Sequence, residues 1–190
     1  MAQYYYLVST LPMLSFDAEK YPSEGEFLEA CAARMSLKDY RRLINTELEI
    51  DPGTYEPRTD VQRWWYHREV ALRNALVRVR AAALNRDAEE NLRRTPDGRD
   101  LGDDPAVIGA VREAYSQESP LRQEERLLQY RWQLLDEVSV GHFFDLDTLV
   151  IYYLNLKILG RRSQFKTELG TETFDETYKT VQDNYYGASV

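Results

Sequence analysis

The side chains that could do chemistry are few and scattered. Two histidines, His67 and His142, and one cysteine, Cys31, are present. His67 has Glu69 close in sequence, but residues two apart on a helix do not face each other. His142 opens the run His142-Phe143-Phe144-Asp145-Leu146-Asp147, which has the residue types of a metal site. A helix starting at Asp145 explains both aspartates more simply, as a cap and as a partner of the helix dipole. Asp136 and Glu137 are adjacent and diverge on a helix, with no neighbour to set one acid against the other. Gly98 and Gly102 lack the Lys-Ser/Thr and the preceding strand of a phosphate loop. Cys31 alone builds neither a disulfide nor a zinc site. No nucleophile–base arrangement follows from spacing. The sequence therefore predicts no enzyme: no catalytic residue, no cofactor and no metal.

The elements that would position a site read as helices throughout. Hydrophobic residues make up 43% and charged residues 29% of the 190-residue chain, ordinary globular usage that permits a core. Glycine is sparse, and Leu, Ala, Glu and Arg are abundant. The net charge of -8 is uneven. Residues 1–57 carry 5 basic and 10 acidic side chains, residues 58–99 carry 10 and 6, and residues 100–190 carry 9 and 16. The basic centre either complements its acidic flanks or offers a patch to an acidic partner. An acidic chain is a poor match for nucleic acid, whose phosphates supply most of the affinity. No apolar run approaches the roughly 20 residues that span a bilayer. The start lacks the basic region of a signal peptide. The expectation is a cytoplasmic chain that reaches the membrane only through a partner.

The segment from Thr59 to about Arg94 organises the rest. Thr59 and Gln62 have capping-box spacing, and no Gly or Pro follows until Pro96. Val61, Trp65, Arg68, Leu72, Ala75, Leu76, Val79 and Ala83 fall at steps of three and four and form one stripe. A helix over 60–94 is predicted, about 42 Å long up to Asp87 at ~1.5 Å per residue. Trp64 and Trp65 lie about 100° apart on it. Either both rings enter a wide core, or one, with Trp64 the better candidate, faces a partner. Arg63 and Arg68 flank them, so Arg63, Trp64, Trp65 and Arg68 are the candidate partner-binding residues.

Other start signals are Ser23 with Glu26, Ser36 with Asp39, Asp104-Pro105, Ser119-Pro120 and Asp145. Tyr4–Leu11 is predicted as a short helix limited by Pro12. Asp51-Pro52-Gly53 is a turn. The 120–140 helix is expected to expose Glu124, Glu125, Arg126 and Arg131. The 146–159 helix, apolar nearly all round, is expected to be buried, and a last helix is expected over 172–182. The polar stretch 95–104 divides an N-terminal lobe (1–94) from a C-terminal lobe (105–190). The predicted fold is all-α, two helical lobes linked by the long central helix.

Three stretches carry a resemblance. They are Tyr4-Tyr5-Tyr6-Leu7-Val8-Ser9-Thr10-Leu11-Pro12, the run from Trp65 to Leu76, and the run from Phe143 to Leu159. Together they resemble a bacterial family encoded beside V-type ATPase subunits. That family looks like a shortened relative of the C-type stalk component of V/A-type ATP synthases, known as the d-type component in eukaryotes. The chain is shorter than the threefold repeated helical lobes of that component. The resemblance implies a non-catalytic piece that binds no nucleotide and couples the central shaft to the membrane rotor ring. It implies other V-type ATPase subunits as partners and a peripheral place on the inner face of the cell membrane. The alternative is a helical adaptor or regulatory binding module unrelated to rotation.

Overall fold

In a computed structural model, residues 4–94 and 104–165 are described. They are all-α, with no strand among them. The helices are α1 (Tyr5–Thr10), α2 (Glu24–Ala32), α3 (Leu37–Leu43), α4 (Asp60–Ala83), α5 (Pro105–Tyr115), α6 (Pro120–Ser139) and α7 (Leu146–Ser163). The helix expected over 172–182 lies outside the described residues.

The start signals act locally. Ser23 Oγ accepts from the Glu26 amide at 3.2 Å, and the Glu26 carboxylate accepts in return from the Ser23 amide at 2.8 Å. Ser36, Thr59, Asp104, Ser119 and Asp145 cap α3 to α7 in turn. Each satisfies an amide that the first helical turn leaves without a backbone partner.

The central helix is shorter than the predicted span 60–94. It ends at Ala83, because Asn85 adopts a left-handed conformation, φ 52°. The Arg86 amide then donates back to Ala81 O at 2.9 Å and the Asn85 amide to Ala82 O at 3.2 Å. This is the paired closure of a Schellman stop, with Asn in the place usually taken by Gly. Beyond it the chain folds back. The Asn74 side chain donates to Arg93 O at 2.7 Å and accepts from the Arg93 amide at 2.9 Å.

Two apolar clusters fill the interior. The larger joins Tyr4 at the start of α1 and Leu7 within it, Phe27 and Cys31 of α2, Leu43 of α3, Trp65 and Val70 of α4, Leu128, Trp132 and Leu135 of α6, and the inner face of α7. The smaller joins Ala71, Leu72 and Ala75 of α4 to Val107, Val111 and Ala114 of α5 and Leu127 of α6. A division of the core at 95–104 does not describe this packing. The buried helix α7, expected in the later lobe, shares its core with α1, α2 and α3, while α4 and α6 serve both clusters. Tyr153 and Leu156 are buried in α7, as its all-round apolarity requires.

Candidate protein-binding face

The first turns of α4 and α7 meet. Gln62 is fully buried. Its Oε1 accepts from the Arg58 amide at 2.8 Å, and its Nε2 donates to Arg42 O and Thr46 Oγ1, both at 2.8 Å. One side chain thus secures the start of α4 and ties it to the end of α3. The Val61 amide donates to Asp147 Oδ1 at 3.3 Å, which ties α4 to α7. Asp145 Oδ1 accepts from the Thr148 amide at 2.8 Å, and its Oδ2 lies 2.7 Å from His142 Nδ1. Burial opposes the Asp145 charge, but the bonds from His142 and Thr148 outweigh it and hold the carboxyl below its usual range. The two aspartates therefore work as helix-start groups. Among the described residues no group of three His, Cys, Asp or Glu side chains is placed to hold a metal.

Between these helix starts is a cleft of about 240 Å³ lined by Asp39, Arg42, Arg58, Asp60, Arg63 and Asp147. Its charges alternate, and it is smaller than the ~300–1,000 Å³ of typical small-molecule sites. Arg63 stands at its rim, 2.9 Å from Asp60 in a solvent-exposed i,i+3 pair. Such pairs hold a side chain weakly.

The adjacent tryptophans separate. Trp65 is 1% exposed and donates from Nε1 to Leu48 O at 3.2 Å. It is a core residue with its polar atom satisfied, so it leaves the set of partner-binding candidates. Trp64 is half-buried at the edge of the larger cluster. The Arg68 guanidinium lies 5.6 Å from its ring centroid, a cation–π geometry. Arg68 also pairs with Asp104 at 2.8 Å, and Asp104 caps α5 by accepting from the Ala106 amide at 2.9 Å. Trp64 and Arg68 are thus brought together, while Arg63 lines the neighbouring cleft and pairs with Asp60. Arg68 serves the fold as much as the surface.

One pair escaped the sequence reading. Arg131, expected on the exposed side of α6, is buried and makes a two-pronged ion pair with Glu69, Nε–Oε1 2.8 Å and Nη2–Oε2 2.9 Å. Burial works against the Arg131 charge, but Glu69 outweighs it and holds the guanidinium above its ordinary range. The available signal was position. Arg131 falls three residues after Leu128 and four before Leu135, both fully buried, so it shares their helix face.

The model of the family described as "Protein of unknown function (DUF2764)" matches residues 63–185. No curated protein and no solved structure matches the chain.

Proposed function

The chain belongs to the DUF2764 family, whose model spans about two thirds of it, and we propose that it is a non-catalytic structural subunit of a V-type ATPase or ATP synthase. In this reading it couples the central shaft to the membrane rotor ring from the inner face of the cell membrane. The observation that supports the reading is where the stretches that resemble the bacterial family encoded beside V-type ATPase subunits lie in the fold. They supply Tyr4 and Leu7, Trp65 and Val70, and Leu149 to Leu159 to one continuous core. The partner contact is assigned to Trp64, with Arg68 over its ring and Arg63 at the adjoining cleft, because Trp and Arg most often dominate interfaces. In this reading the ring subunits supply the membrane anchorage; no helix of the described residues is long and apolar enough to cross a membrane.

The test is a pull-down of the detergent-solubilised ATPase on the tagged chain. Shaft or ring subunits are expected to co-purify, with recovery falling as salt rises. Trp64→Ala with Arg63→Glu should weaken recovery at least about tenfold, since anchor residues at an interface contribute about 2 kcal/mol or more. The far-ultraviolet circular dichroism should be unchanged. This pair is preferable to a change at Arg68, whose loss would also release Asp104. If nothing of the ATPase is recovered at low salt, the stalk assignment fails and the adaptor reading replaces it.

A further inference from the structure

The Trp64–Arg68 pair is set from a second helix. Trp64 and Arg68 stand four apart on α4, so they share a face, and the long Arg68 side chain leans back over the preceding turn. Leaning alone leaves such a side chain many rotamers. Asp104, at the start of α5, takes hold of it. Arg68 Nη1 donates to Asp104 Oδ2 at 2.8 Å, while the guanidinium lies 5.6 Å from the Trp64 ring centroid.

The two oxygens of Asp104 divide the work. Oδ1 accepts from the Ala106 amide at 2.9 Å and caps α5, and Oδ2 is left for Arg68. An uncharged Ser or Asn would serve the cap equally well, so the charge of Asp104 acts on Arg68 rather than on α5. The nearest carboxylates in sequence on α4 are committed elsewhere. Glu69 holds Arg131 with both oxygens, and Asp60 pairs with Arg63. Arg68 makes no other hydrogen bond or ion pair among the described residues. Its Nε and Nη2 therefore stay open to an acceptor on a partner. The Arg68 and Asp104 side chains are 34% and 36% exposed, and Trp64 is half-buried beside them.

We infer that Asp104 is a positioning residue for the partner contact: it holds Arg68 over Trp64, so that the two are presented as one pre-set anchor. The inference rests on the assignment of that contact to Trp64. A long charged side chain that is ordered beforehand need not be ordered by binding, and the difference appears as affinity.

The experiment uses Asp104→Asn, which keeps an oxygen to cap α5 and removes the charge that holds Arg68. Asp104→Ser, likewise a capping residue, is the second variant. Melting temperatures are expected to change little, because the cap survives and a partly exposed pair contributes little to stability. In the purified chain, the Trp64 indole N–H resonance, assigned with Trp64→Phe, should shift in both variants. In the ATPase pull-down, recovery should fall about two- to tenfold, the cost of ordering one long side chain at an interface. In an Arg68→Ala background, Asp104→Asn should lower recovery no further, because its effect runs through Arg68. An unmoved Trp64 resonance overturns the inference. Undiminished recovery also overturns it and leaves Asp104 a cap alone, while increased recovery makes Asp104 a competitor of the partner for Arg68. An equal fall in the Arg68→Ala background overturns it in favour of an effect on α5. If the natural chain recovers no ATPase, the stalk reading is what fails, and the Trp64 resonance still decides whether Asp104 holds Arg68 over the ring.

Discussion

The two apolar clusters share α4 and α6 yet are built from different materials. The larger is aromatic and heavily crosslinked. Phe27 packs against Tyr152 and Tyr153 with ring centroids 5.1 and 5.5 Å away. Trp65, Gln62 and Tyr4 each add a hydrogen bond to a distant segment. The smaller is made of Ala, Val and Leu from three helices. Large rings bury more area per residue than alanines do, so the same pair of long helices is held firmly at one end and lightly at the other. The Glu69–Arg131 pair lies at the seam. On α4, Glu69 stands between Tyr66 of the larger cluster and Leu72 of the smaller. On α6, Arg131 stands between Leu127 and Leu135. The pair thus links α4 to α6 directly at the point where the two clusters meet.

Breaking the pair is the largest expected effect. Glu69→Ala should destabilise by about 3–5 kcal/mol in urea denaturation, because Arg131 would keep a buried charge without a partner. Replacing both by methionine should cost far less. A single-variant loss below about 1 kcal/mol would mean that the seam admits water. Next, Leu156→Ala in the larger cluster should cost about 2–5 kcal/mol, and Val111→Ala in the smaller about 2 kcal/mol. Equal losses would erase the contrast between the clusters.

Acid should act on the larger cluster first. Asp39 is held below its usual range chiefly by the Tyr4 hydroxyl, with burial opposing, and Asp145 is held low against burial by His142 and Thr148. Groups with depressed folded values stabilise the fold fully above the ordinary carboxylate range and lose that contribution as pH falls through the folded values. The melting temperature should therefore drop below about pH 4, and Asp39→Asn should flatten the drop. An Asp39→Asn profile parallel to that of the natural chain would remove Asp39 from the account. The smallest effect belongs to the partly exposed Arg68–Asp104 pair. Arg68→Ala should cost no more than about 1 kcal/mol, and a larger loss would make it a second staple of the smaller cluster.

The helical class and the start of each longer helix are local properties, legible in the chain. Ser23, Ser36, Thr59, Asp104, Ser119 and Asp145 cap as read, because a cap closes within three residues of itself and needs no distant partner. The burial of Tyr153 and Leu156 was legible for a similar reason: a helix apolar on every side has no face to give to water. Candidate partner residues were legible only as a neighbourhood. Adjacent tryptophans must diverge by about 100°, but tertiary packing decided that Trp65 meets Leu48 and Trp64 stays at the edge. The end of α4 is not marked by Gly or Pro in the sequence; Asn85 supplies the left-handed stop in the place where Gly is usual. The burial of Arg131 is masked in the sequence by its charge, because the partner that neutralises it, Glu69, lies 62 residues away. The grouping of α7 with α1, α2 and α3 likewise belongs to the tertiary structure. Apolar side chains carry no address, and which of them share a core depends on which helices can be brought together.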